Sequence, residues 1–212
     1  MVLPLVPTPS TSFGRLVVLA AEGAVVCTLG DQLHVRFGVL SYPHPELAGQ
    51  AWWVPLLFFF AVLSMLLAYP VTFRAMKRTL GWPAARAPLE VRDARRALLE
   101  FFLAYAITAV AAARPVVVLL ALTAAFGLRL WLDWRAADDL GRRALVAALP
   151  FVSVTIVVGP LVEAALIALG QFRYEDPHVL GFALWLPALY LYAAWAGRAM
   201  VHAFRARPAA AA

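Results

Sequence analysis

The sequence predicts an all-α polytopic membrane protein, a bundle of six transmembrane helices in a single domain over residues 1–212. Three observations predict it. The chain is 64% hydrophobic and 14% charged, whereas a soluble domain carries roughly a quarter charged residues. Its apolar residues gather into six segments, near 12–33, 51–70, 96–113, 115–134, 144–170 and 178–204, each about long enough to cross a bilayer. Its basic residues fall almost entirely in alternate connections.

The first segment follows "MVLPLVPTPSTSFGR", which has no basic stretch ahead of an apolar core and does not read as a cleaved signal peptide. Glu22 lies near its middle. Cys27 is the one cysteine, so no internal disulfide or cysteine metal cluster can form, and a small core residue is expected there. The second segment opens with "AWWVPLLFFF". Trp52 and Trp53 suit the headgroup level, and Pro55 suits a first helical turn, where a missing N–H costs nothing.

The third and fourth segments form a tight hairpin around Arg114-Pro115. Arg96 and Glu100 are spaced to pair on one face, as are Arg129 and Asp133. Ala104, Thr108 and Ala112 recur at four-residue spacing on the third segment, and Ala121 with Ala125 on the fourth. Small residues let helix backbones approach closely, so this hairpin is the expected self-association or partner face, though packing within one chain uses the same residues.

In the fifth segment Thr155, Gly159 and Glu163 form one small, polar stripe, unlike a lipid-facing surface. That marks the fifth helix as the expected central element, bent at Gly159-Pro160. The sixth segment echoes the second: "ALWLPALYLYA" at 183–193 repeats "AWWVPLLFFFA" at 51–61. Internal duplication and chance in an aromatic-rich chain both remain open. Pro187 is expected deep in its span, kinking it.

Fourteen basic residues fall to one side: Arg15; Arg74, Lys77, Arg78, Arg86, Arg92, Arg95, Arg96; Arg135, Arg142, Arg143; Arg198, Arg205, Arg207. Arg36, Arg114 and Arg173 fall to the other. Both termini are therefore expected in the cytoplasm. The net charge of +6 reflects this topology, and no nucleic-acid partner is expected. Lys77 is the single lysine. The Arg- and Ala-rich composition points to a GC-rich bacterial genome, hence a plasma membrane.

"AWWVP" followed by "AYP" at 68–70, "GLRLWLDWR" at 127–135, and "YEDPHVLGFALWLPA" at 174–188 together resemble the insulin-induced gene protein (Insig) family. The resemblance covers about a third of the chain, in order and on a six-span topology. It implies a six-helix bundle enclosing a lipid cavity. Animal members are endoplasmic reticulum sterol sensors that bind oxysterol, retain the SREBP escort protein SCAP and promote degradation of HMG-CoA reductase. Asp133 sits where the family carries an aspartate needed for partner binding. The sequence departs from the family ahead of the fourth span, where "AVAAARPVVV" replaces a polar stretch.

A lipid cavity needs an apolar body and a few polar groups. Glu22 and Glu163, with Ser64 or Ser153, are candidate acceptors, in line with the stripe of Thr155 and Gly159. Trp53, Phe58, Phe60, Trp185, Tyr190 and Tyr192 are candidate lining. Glu22 and Glu163 can equally be protonated ties between helices. No G-x-x-x-x-G-K-[ST], H-E-x-x-H or G-x-S-x-G occurs. His34, His44 and His178, near Asp31, Glu46 and Asp176, are residue types that suit a metal or proton site, but solvated loop residues are expected there. The sequence therefore predicts a non-enzymatic membrane lipid-binding or lipid-sensing protein without cofactor, holding a sterol- or diacylglycerol-type ligand. It is expected to self-associate through the third and fourth spans and to offer that face to a membrane-protein partner. The alternatives are a proton-coupled transporter using Glu22 and Glu163, and a lipid-modifying enzyme at the histidine-carboxylate group.

Overall fold

A computed structural model describes residues 13–79 and 91–206. Arg86 and Arg207 of the charge count lie outside the described residues. Among these residues six helices form: α1 (Phe13–Arg36), α2 (Val54–Thr79), α3 (Val91–Val110), α4 (Pro115–Ala136), α5 (Asp139–Ala168) and α6 (Leu186–Ala206). Two short strands, β1 (Leu40–Ser41) and β2 (Arg173–Tyr174), pair antiparallel, Leu40 opposite Tyr174. They clasp the α1–α2 and α5–α6 connections together at one end of the bundle.

Two helix starts have a clear local cause. Pro115 opens α4 at its first position, where no N–H is needed. Asp138 caps α5, its carboxylate accepting from the Gly141 N–H at 2.7 Å. Among the described residues four helices are long and apolar enough to cross a membrane: α1 over Leu16–Arg36, α2 over Val54–Met76, α4 and α5. α3 and α6 are more polar, because α3 begins in charged sequence and α6 carries Arg198 and His202.

That polarity marks the centre of the bundle. α6 packs against α2, α3, α4 and α5. Trp185, Leu186, Ala194, Trp195 and Arg198 are all buried. The expectation that α5 is central is corrected: α5 shows Val154, Val157, Val158 and Leu161 to the outside. An aliphatic helix is cheap to leave against lipid, whereas a helix with an arginine must be enclosed. The Arg198 guanidinium stacks over the Trp195 ring at 4.4 Å.

The α1–α2 and α5–α6 units are duplicates. Residues 38–55 align without a gap with residues 170–187, 132 positions on. Gly, Tyr, Pro, Gly, Ala, Trp and Pro recur identically at Gly38/Gly170, Tyr42/Tyr174, Pro45/Pro177, Gly49/Gly181, Ala51/Ala183, Trp53/Trp185 and Pro55/Pro187. The backbone repeats with them. Gly38 and Gly170 leave the helices at φ 66° and 69°; Ala48 and Leu180 stand at 52° and 50°, Gly49 and Gly181 at 92° and 87°. The bridges Leu47–Gln50 and Val179–Phe182 correspond too. The echo at 51–61 and 183–193 is thus part of a repeated helix–strand–turn–helix unit. This corrects the place of Pro187: the loop extends through Trp185, so Pro187 lies in the first turn of α6, as Pro55 does in α2.

Candidate functional site

The two repeated units enclose a cavity of about 110 Å³, several times what one water requires. Its polar groups gather near the clasp: Asp31 and His34 in the last turns of α1, Tyr42 and Tyr174 in the connections, Glu163 on α5 and Tyr190 on α6. Along α2 and α6 the lining turns apolar, through Val54, Leu57, Phe58, Val62 and Leu189. Ala61 on α2 and Val162 on α5 line the cavity and are also exposed on the bundle surface.

The duplication organises the polar end. Asp31 and Glu163 are themselves 132 residues apart. Tyr42 donates its hydroxyl to Asp31 Oδ2 at 2.8 Å, and its counterpart Tyr174 donates to Glu163 Oε2 at 2.7 Å. Burial and then the adjacent carboxylate hold both phenols well above the ordinary tyrosine value, so each remains a donor. The second donors differ: Gln50 Nε2 reaches Asp31 Oδ2 at 2.6 Å, and Tyr190 reaches Glu163 Oε1 at 2.8 Å.

His34 lies between the carboxylates and α3. Thr108 donates its only proton to the Tyr105 carbonyl at 2.8 Å. The His34 Nε2 contact to Thr108 Oγ1 at 2.9 Å must then be made by an Nε2–H donor. Rings of Tyr105 and Trp185 flank the imidazole, at centroid distances of 5.2 and 5.1 Å. The expectation that His34 and Asp31 are solvated loop residues is corrected. α1 continues to Arg36, three residues past its expected end, and carries both inward. His178 does sit in a connection, 3.8 Å from Asp176. Among the described residues no three His, Cys, Asp or Glu side chains come together as metal ligands.

Of the residues singled out from sequence, Glu163, Tyr190, Trp53 and Phe58 line the cavity. Gly159 packs on the Tyr190 ring. Thr155 is buried and donates to the Phe151 carbonyl at 2.9 Å. Trp185 is 1% exposed and flanks His34 from outside the cavity lining. Glu22, Phe60, Ser64 and Ser153 are on the exposed surface. Tyr192 turns to α4, donating to the Leu122 carbonyl at 3.0 Å.

The small-residue hairpin divides. Ala104 and Thr108 are consumed inside the chain, at 1% and 0% exposure. Ala112 is half-buried, while Ala121 and Ala125 are exposed on α4. Asp133 pairs with Arg129 at 3.0 Å, and Arg129 also reaches Glu100 on α3. Arg96 closes the chain on Glu100 at 2.8 Å. The two local pairs expected from spacing are thus one network joining α3 to α4.

No family model matches the chain. A curated relative from Mycolicibacterium vanbaalenii, an INSIG protein homolog, is 32% identical over 176 residues, 82% of this chain and 78% of the relative. The chain belongs to the Insig family. The fold of this Insig homologue agrees: the crystal structure of MvINS, a mycobacterial Insig homolog from Mycobacterium vanbaalenii, superposes with TM-score 0.70 at 26% identity. That match covers 93% of this chain and 98% of MvINS. A cross-linked MvINS trimer superposes with TM-score 0.68, also at 26% identity, over 93% of this chain and 98% of the MvINS chain. The family resemblance seen in three short sequence stretches therefore extends across the Insig homologue's whole helical bundle.

Proposed function

We propose that this Insig homologue is a non-enzymatic membrane protein that holds one lipid in the cavity between its repeated units, with its polar group at the clasp and its apolar part among α2, α5 and α6. The observation that carries this is the lining: apolar along the helices, polar at one end, and bordered at α2 and α5 by Ala61 and Val162, which also reach the bundle surface. Such a site admits an amphiphile from the membrane, not a solute from water. Sterol- and diacylglycerol-type lipids are the proposed ligands. The basic-residue asymmetry supports both termini on the cytoplasmic side.

Of the α3–α4 hairpin, α4 is the proposed association face. Val116, Val117, Leu120 and Leu128 are exposed beside Ala121 and Ala125, and a relative has been cross-linked as a trimer. Asp133, at the end of the same helix, is placed to engage a membrane-protein partner. Lipid alters what this face holds only by favouring one conformation over another. Native mass spectrometry of the gently solubilised protein, with released lipids identified, tests the cavity. One retained lipid per chain supports it. No retained lipid in several mild detergents, with proton-dependent flux in liposomes, supports a transporter instead.

A further inference from the structure

Each repeated unit contains a tight turn that takes no part in the cavity. The α1–α2 connection reverses through Ala48-Gly49 and the α5–α6 connection through Leu180-Gly181, all four residues at positive φ. Paired backbone bonds close each turn. The Leu47 N–H donates to the Gln50 carbonyl at 2.8 Å and the Gln50 N–H to the Leu47 carbonyl at 2.9 Å. Val179 and Phe182 exchange the same bonds at 3.1 and 2.9 Å. This is the two-residue type I′ hairpin turn, whose first central position favours Asn, Asp or Gly. Here alanine and leucine occupy it.

Leu180 is the sharper anomaly. A side chain with a Cβ is strained at its φ of 50°, and this one is 66% exposed. In water an asparagine would ease the strain and remove the apolar exposure together. A leucine is favoured there only by apolar surroundings. The neighbours agree. Leu47 and Val179 are exposed in the two turns, as are Phe37 and its counterpart Leu169 just after α1 and α5. No charge lies in either tip, 47–49 or 179–181. The polar groups stand on the shoulders, His44 and Glu46 on one turn, Asp176 and His178 on the other.

The tips also lie at membrane level. Each folds back beside the last turn of the preceding helix instead of rising from it. Gln32 of α1 donates to the Ala48 carbonyl at 2.6 Å. A Cβ at Gly49 would meet Val35 at 2.8 Å, and one at Gly181 would meet Ile167, the counterpart of Val35, also at 2.8 Å. Val35 and Ile167 belong to helices long and apolar enough to cross the bilayer. The β1–β2 pairing joins the two connections, so both tips stand at one end of the bundle.

We propose that the paired turns dip into the bilayer leaflet at the clasp end, with Leu47, Ala48, Val179 and Leu180 at the boundary between headgroups and acyl chains and the polar shoulders in the water above. Their partner is a lipid surface, distinct from any molecule inside the bundle.

The test uses the full chain carrying Cys27→Ala, reconstituted in phosphatidylcholine vesicles, with the environment-sensitive fluorophore NBD on single introduced cysteines. Ala48→Cys and Leu180→Cys report the tips. Leu47→Cys and Val179→Cys report the same depth without a positive φ, should either of the first pair fold poorly. Asp176→Cys reports the shoulder, and Leu161→Cys the exposed side of α5. The tip labels are expected to emit to the blue of the Asp176→Cys label and to resist aqueous iodide. Lipids carrying a nitroxide high on the acyl chain should quench them, placing them roughly 5–10 Å into the headgroup–acyl boundary. Tip labels that match Asp176→Cys in emission and iodide quenching would overturn the proposal. Tips shielded from both quenchers, while Leu161→Cys is quenched by the nitroxide lipid, would assign them to a protein contact and overturn it too. Lipid quenching at one turn alone would overturn the paired insertion.

Discussion

Gly159 shows how one residue shapes the site. A Cβ there would collide with the Tyr190 ring, whose hydroxyl is bonded to Glu163. The ring cannot yield without breaking that bond. Gly159→Ala should therefore destabilise the protein by about 1–3 kcal/mol, read as a lower unfolding temperature in detergent. Gly127→Ala is the control. Nothing lies within 4 Å of its Cβ on α4, so the alanine should be neutral or stabilise by up to about 1 kcal/mol. At this scale the sequence was informative where cost was visible. A carboxylate within an apolar run announces itself, and Glu163 is in the site. Glu22 made the same announcement from the exposed face of α1, because composition cannot say which side of a helix faces its neighbours. Asp31 and His34 were hidden by a different cause. They stand five and two residues from the end of α1 at Arg36, where a helix residue and a loop residue look alike in sequence.

Among the elements, the clasp and the α3–α4 network make separate predictions. Ser41 donates to Glu175 at 2.5 Å, and Arg173 lies 3.5 Å away. The Ser41 bond first, and the Arg173 charge after it, hold the Glu175 carboxyl below its ordinary value. A depressed folded value means the contribution is present above the unfolded value and is lost as pH falls through the folded one. Amides of β1 and β2 should therefore exchange faster, relative to their intrinsic rates, on acidification below about pH 4. Glu175→Gln should remove that pH dependence. On α3 and α4, Glu100 is shared by Arg96 and Arg129. The group is part-exposed, so Glu100→Gln should cost only about 1 kcal/mol, but a double-mutant cycle with Arg129→Ala should show coupling. The spacing of each local pair was legible from sequence. Their union through Arg129–Glu100 was not, because it depends on how α3 and α4 pack side by side.

For the whole molecule, hydropathy and charge alternation were enough to predict a six-helix bundle. The centre was misread for a physical reason. The stripe of Thr155, Gly159 and Glu163 does turn inward, but one inward stripe leaves the rest of α5 free to face outward, whereas the polar, aromatic α6 must be enclosed. The repeat was visible as an echo of eleven residues, at 51–61 and 183–193. Only the shared φ values and turn bridges distinguish it from chance. Association belongs to this scale too. Cysteines at Ala121 and Ala125 should cross-link neighbouring chains in membranes, whereas one at Ala104, buried inside the chain, should not. Cross-linking from Ala104 alone would move the interface away from α4.

The claim on which the rest depends is that the ligand sits inside the bundle and not on its greasy surface. The most direct test compares two enlargements by native mass spectrometry. Ala193→Phe fills the cavity, whereas Leu120→Phe enlarges a side chain on the exposed face of α4. Loss of the one-per-chain lipid in Ala193→Phe, with full retention in Leu120→Phe, is the predicted result. Equal retention in both would contradict an internal site.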